Sequence, residues 1–124
     1  MHVLIATDSV HTTAAACDYL ESRLDPEDTV TVVSVPGTDA RDADDALNVA
    51  NARLLGYATV ETDRLASDGD PTSAILSAVA DRTPEIVVVG QHAGSPEAGP
   101  RLGSTARGII EGVDVPVVVV PLSF

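Results

Sequence analysis

Glu85-Ile86-Val87-Val88-Val89-Gly90 sets four β-branched residues in a row ahead of a glycine. A strand apolar at both side-chain parities is buried on both faces, the condition of a parallel sheet covered by helices. Its flanks agree. Thr83-Pro84 stops the helical pattern before it, and a Gly- and Pro-rich loop from Gln91 to Leu102 follows it, closing at Gly103-Ser104. Strand, loop and helix start in that order are one half of a βαβ unit.

The same alternation extends in both directions. Upstream, Asp70-Pro71 gives an N-cap and a first-turn proline to a helix carrying Ile75, Leu76 and Val79. Downstream, a short helix through Ala106, Ile109 and Ile110 leads into Val115-Pro116-Val117-Val118-Val119-Val120-Pro121. Nearer the start, residues 2–7 read as a buried strand, and Ala14, Cys17, Leu20 and Leu24 fall on one helical face. Thr29-Val30-Thr31-Val32-Val33-Ser34-Val35 is a second strand ended by Pro36-Gly37. The acidic run from Asp39 to Asp45 opens a helix bearing Ala43, Leu47, Ala50 and Leu54, where negative charge suits the macrodipole, and Gly56 stops it. Ala58 to Leu65 alternates apolar with charged residues, as an edge strand does. The expectation is an α/β chain, βαβαβαβαβ, one domain over residues 1–124, with a five-stranded parallel doubly wound sheet and helices on both faces.

Nineteen acidic residues stand against seven basic ones, all Arg, for a formal charge of −12. Such a surface repels nucleic acid and anionic membranes, and so large an acidic excess without lysine points to a salt-rich cytoplasm. Cys17 is the one cysteine, so no internal disulfide or Cys/His metal cluster forms, and the expected setting is reducing. Val3-Leu4-Ile5-Ala6 enters structure without the charged region of a leader, and no apolar run approaches a membrane span, so a cytoplasmic location is expected.

In open α/β sheets the functional crevice lies beyond the carboxyl ends of the strands, where strand order reverses. Thr7-Asp8-Ser9, Val35-Pro36-Gly37 and the segment Gly90 to Ser104 converge there. Glycines beside a helix N-terminus with a hydroxyl at its first turn make an anion site, though glycines also serve simply to turn a loop. Asp8 and Ser104 each have a second reading as helix caps. His2, His11 and His92 lack metal-ligand spacing, and Cys17 shares the apolar stripe of its helix.

Ala6-Thr7-Asp8, Gly69-Asp70-Pro71 ahead of Ile75, the strand Glu85 to Gly90, Gly103-Ser104 and Val115-Pro116-Val117-Val118-Val119 together resemble the universal stress protein family over nearly the whole chain. The resemblance implies an adenine nucleotide alpha hydrolase-like sheet of order 3-2-1-4-5. It also implies a stress-response module for ATP or AMP; with Arg101 and Arg107 the only cations near the loop and no general base evident, efficient catalysis is not expected. Nucleotide contacts would come from Ala6, Thr7, Asp8, Val35, Val89, Gly90, Ala93, Gly103, Ser104 and Thr105, with Asp8 near the ribose or a nucleotide-borne Mg²⁺. ATP-binding members write the loop as glycine, two residues, glycine, nine residues, glycine and Ser or Thr. Here the middle glycine falls on Ala93, with Gly94 one place later and Glu97 nearby. Relatives pair their last strands, which implies a homodimer through Val115 to Val120 and further protein partners that the sequence does not name.

Two alternatives stay open: a dimeric interaction module of the same family that binds no nucleotide, and a slow ATPase. A dinucleotide-dependent oxidoreductase is excluded because Thr7-Asp8-Ser9-Val10-His11 occupies the place of GxGxxG. P-loop NTPases and phosphorylated receiver domains each need a lysine that this chain lacks.

Overall fold

The computed structural model describes residues 1–35, 38–66, 69–91 and 102–122. Among them five strands alternate with four helices: β1 (His2–Thr7), α1 (Val10–Leu20), β2 (Thr29–Ser34), α2 (Ala40–Leu54), β3 (Thr59–Arg64), α3 (Pro71–Arg82), β4 (Ile86–Gly90), α4 (Ser104–Gly112) and β5 (Val117–Val120). The sheet has the order β3-β2-β1-β4-β5, as the resemblance implied. All pairings are parallel, and β1 is the hub: Val3 pairs with Val30 on one side and with Ile86 on the other.

Side-chain parity divides the core. Val3, Ile5, Val30, Val32, Val88 and Val120 pack against Ala16, Cys17 and Leu20 of α1 and Leu47, Ala50 and Leu54 of α2. Leu4, Ala6, Val33, Val87 and Val89 point the opposite way, onto Ile75 and Ala78 of α3 and Ala106 and Ile109 of α4. Burying an aliphatic side chain contributes roughly 1.5–3 kcal/mol, so both helical layers anchor the central strands. As its alternating charges required, β3 is an exposed edge. The opposite edge, β5, keeps Val117, Val118 and Val119 partly exposed.

Helix ends follow local chemistry. Asp39 accepts from the amides of Arg41 and Asp42 to open α2, and Gly56, at φ +86°, takes the left-handed turn after it. Asp70 caps α3 ahead of Pro71, and Thr83 adopts φ 47° at its far end. The α1 face differs from its expected stripe. Thr12, Thr13, Ala16, Cys17 and Leu20 are buried, whereas Ala14 is half-exposed and Leu24 lies beyond the helix. The apolar spacing missed it because two threonines turn inward with their hydroxyls bonded.

α3 and α4 cross at two glycines. A Cβ on Gly108 would stand 2.6 Å from Thr72 Cγ2, and one on Gly112 would stand 2.9 Å from each terminal methyl of Leu76. Arginines tie elements together across the acidic surface: Arg53 of α2 to Asp18 of α1 and to Glu21 at its C-terminal cap, Arg64 of β3 to Asp44 of α2, and Arg82 of α3 to Asp63 of β3.

Candidate functional site

Strand order reverses between β1 and β4: β1 leads through α1 to β2, whereas β4 leads through α4 to β5 on the other flank. The crevice therefore opens at the carboxyl ends of these two strands. Its floor is Ala6 beside Val89, which are register partners and each 4% exposed. The Val35 amide donates to the Thr7 carbonyl at 2.8 Å, carrying the exit of β2 alongside the tip of β1.

On the β4 side, the Gln91 amide donates to the Val120 carbonyl at 2.9 Å, and the Gly103 amide donates to the Gln91 carbonyl at 2.8 Å. The second bond returns the chain to the tip of β4 and fixes the start of α4 there. Gly103 is the N-cap, extended at φ −69°, and has no side-chain capping bond. Ser104 is thus the first helical residue rather than the cap. The first intrahelical bond runs from the Arg107 amide to the Gly103 carbonyl at 3.0 Å. The amides of Ser104, Thr105 and Ala106 precede it, and among the described residues no side chain caps them. With the positive end of the helix dipole, they present donors of the kind that suit an anion. Ser104 is exposed and Thr105 half-buried.

On the β1 side a hydroxyl network organises the turn into α1. Thr7 is fully buried; its hydroxyl donates to the Ser9 carbonyl at 2.9 Å and shares a 2.9 Å bond with Thr13 Oγ1. Its side chain therefore shapes the turn. Ser9, not Asp8, caps α1, its Oγ accepting from the Thr12 amide at 3.1 Å. Ser9 Oγ also donates to Thr12 Oγ1 at 3.1 Å, and Thr12 Oγ1 donates to Asp8 Oδ1 at 2.9 Å. Asp8 is left half-buried at the rim of the crevice.

Ala6, Thr7, Asp8, Val35, Val89, Gly90, Gly103, Ser104 and Thr105 thus gather at the tips of β1, β2 and β4 and the start of α4. Ala93, along with His92, Gly94, Glu97 and Arg101, lies outside the described residues. Ser9 and Thr12 were missed as organisers of the turn; the signal was present in a hydroxyl placed three residues ahead of another at a helix start. His2 Nε2 bonds Thr31 Oγ1 at 2.8 Å in the first residue of β1, at the opposite end of the sheet, and His11 is exposed on α1. Burial pushes the Cys17 thiol up to about 11, which suits packing rather than nucleophilic chemistry. Beside the crevice, Gln91, Leu102, Ile110, Val119 and Pro121 line an open groove of about 360 Å³ along β5.

No group of three or more His, Cys, Asp or Glu able to hold a metal occurs among the described residues. Among the described residues at the tip of β1, Asp8 offers a hard carboxylate oxygen, which fits a Mg²⁺ shared with nucleotide phosphates rather than a metal caged by protein.

A doubly wound parallel sheet with the start of α4 at its switch point defines an α/β protein with a crevice at the strand tips. The chain belongs to the universal stress protein family, whose model matches residues 1–121. No curated protein matches it. Its fold is similar to that of the hypothetical protein MJ0577, at 18% identity over 98% of this chain and 96% of that one, with a TM-score of 0.82. It is also similar to a universal stress protein family protein from Arabidopsis thaliana with AMP bound, at 14% identity over 99% and 92% of the two chains, with a TM-score of 0.71. A third similar structure is the universal stress protein from Archaeoglobus fulgidus in complex with dAMP, at 19% identity, 97% coverage of both chains and a TM-score of 0.63.

Proposed function

We propose that this chain is a stress-response module that binds an adenine nucleotide, ATP or AMP, across the tips of β4, β1 and β2. The observation that carries the reading is the start of α4, where the amides of Ser104, Thr105 and Ala106 meet no side-chain cap among the described residues. Phosphate belongs there, the sugar at β1 beside Asp8, and the base at β2 beside Val35. The AMP- and dAMP-bound relatives of the same fold support this choice of ligand. With ATP, a Mg²⁺ carried by the phosphates would find the Asp8 carboxylate as a protein ligand.

Adding AMP, ADP or Mg·ATP to the protein in molar KCl tests the reading by thermal denaturation. At one hundred times its dissociation constant a ligand stabilises by about 2.7 kcal/mol, which raises the melting temperature by several degrees in a domain of this size. No shift with any of the three removes the nucleotide reading and leaves a dimeric interaction module.

The module works by binding rather than turnover. Hydrolysis requires a positioned water and cationic stabilisation at the terminal phosphoryl group, and in this reading Asp8 faces the sugar instead. Multiple-turnover phosphate release abolished by Ser104→Ala would contradict this. The assembly expected on this reading is a closed two-fold dimer, in which Val115 to Val120 pairs with a second copy and covers β5, a sheet edge whose Val117, Val118 and Val119 are partly exposed. Light scattering at micromolar protein should give twice the chain mass; a monomeric mass would defeat the dimer. The charge of −12 without lysine suits a salt-rich cytoplasm, where the module would pass its nucleotide state to protein partners.

A further inference from the structure

We infer that Thr12, acting through Asp8, sets the sugar preference of the crevice: its buried hydroxyl holds the Asp8 carboxylate ready to accept the 2′,3′-diol of a ribonucleotide. The inference rests on the nucleotide reading above and adds a residue that does not itself touch the ligand.

Topology places the parts of the ligand. Neighbouring strands lie about 4.8 Å apart, so the tips of β4, β1 and β2 span about 10 Å, the reach of a mononucleotide from phosphate to base. With the anion fixed at α4 beside β4, the middle of the ligand lies over β1, where Asp8 leaves the strand. A carboxylate only accepts hydrogen bonds. It repels phosphate and takes donors, and the donors at the centre of a nucleotide are the sugar hydroxyls.

Orientation is what Thr12 adds. Its side chain sits in the buried first turn of α1, 2% exposed, and its Oγ1 donates to Asp8 Oδ1 at 2.9 Å. Thr12 is itself held: its amide donates to Ser9 Oγ at 3.1 Å, and Ser9 Oγ donates to Thr12 Oγ1 at 3.1 Å. Because the threonine proton goes to Asp8, its oxygen is left to accept from Ser9, which makes the chain Ser9 to Thr12 to Asp8 directional. A carboxylate fixed by a buried donor loses less freedom when two adjacent hydroxyls bind it than one that rotates in water. Thr12 is therefore a positioning residue.

Isothermal titration of the full chain with AMP, 2′-deoxy-AMP and 2′,3′-dideoxy-AMP tests this. The wild type should prefer AMP over the dideoxy compound by at least about tenfold, the worth of hydrogen bonds to a charged acceptor. Thr12→Val should weaken AMP about fivefold and leave dideoxy-AMP unchanged, and Thr12→Ser should restore the preference. With Asp8→Ala in place, adding Thr12→Val should change nothing further, because the two act as one unit. If Thr12→Val fails to fold, Thr12→Ala against Thr12→Ser provides the same comparison. Equal weakening of all three ligands, or an unchanged preference, overturns the role of Thr12 while the nucleotide reading stands. A wild type that binds none of the three overturns both.

Discussion

Replacing Gly108 by alanine sets two terms of known size against each other. In an exposed helix interior the change stabilises by about 1 kcal/mol, because alanine loses less backbone freedom. Here the added methyl would stand 2.6 Å from Thr72 Cγ2 and 3.2 Å from its Oγ1. Threonine is branched at Cβ and stiff about χ1, so relief requires a poor rotamer or a shift of α4 away from α3. Overpacking of this kind costs about 1–3 kcal/mol, so Gly108→Ala should destabilise by about 1 kcal/mol net, a fall of roughly 3–6 °C in melting temperature. In a Thr72→Ala background the obstacle is gone, and the same change should become stabilising by up to about 1 kcal/mol. Thermal and urea unfolding of the four proteins in the cycle, in molar KCl, measure the reversal of sign. If Gly108→Ala stabilises the protein with Thr72 in place, the helices are not in the contact described and the placement of α4 is wrong. The contact bears on function because α4 carries the Ser104 and Thr105 amides one turn from Gly108.

At the opposite end of the sheet, Asp28 Oδ1 takes the Met1 ammonium at 2.7 Å and its Oδ2 takes the Asp25 amide at 2.8 Å, which lowers its pKa and raises that of the ammonium. The carboxylate's contribution is present above its ordinary value near 3.8 and is lost as pH falls through the lower folded value. The ammonium's contribution is present below about 8.0 and is lost as pH rises through its higher folded value. The stability gap between wild type and Asp28→Asn should therefore be widest between about pH 4 and 8 and narrow on both sides; a gap that is flat across urea titrations from pH 2 to 10 would contradict the pairing. With a charge of −12, stability should rise from dilute buffer to molar KCl as the screening length falls from about 10 Å to about 3 Å, and an unchanged melting temperature would refute the salt adaptation. Arg53→Met should cost at most about 1 kcal/mol in dilute buffer and less in molar salt, because its pairs with Asp18 and Glu21 lie at the surface; a cost that grows with salt would count against a screened ion pair.

What the sequence disclosed was whatever depends on local periodicity. The unbroken β-branched run of β4 announced burial on both faces, and the charges on alternate residues of β3 announced an edge. Asp70-Pro71 and Gly56 marked helix ends because capping and left-handed turns are one-residue decisions. The gathering of the carboxyl tips of β1, β2 and β4 at the switch point was legible, since topology alone carries them there. The α1 stripe was read only in part: Cys17 and Leu20 are buried as expected, but Thr12 and Thr13 also turn inward once their hydroxyls find partners within the same turn, and a hydropathy pattern treats them as polar. The cap of α1 moved from Asp8 to Ser9, and that of α4 from Ser104 to Gly103, each by one residue, the scale at which cap chemistry is decided by backbone geometry. Gly108 and Gly112 gave no local signal, since their purpose is a crossing with Thr72 and Leu76 of a helix 36 residues away. The bond from Gly103 to the Gln91 carbonyl, which seats α4 at the tip of β4, is equally non-local.

The most direct measurement is a titration of isotopically labelled protein with AMP, followed by amide resonances. Shifts that saturate together at Thr7, Asp8, Val35, Gly90, Gly103, Ser104 and Thr105, with Asp28 and Glu85 at the far end of the strands unmoved, are the predicted result. Saturable shifts centred elsewhere, or none at millimolar AMP, would contradict a nucleotide site at the switch point.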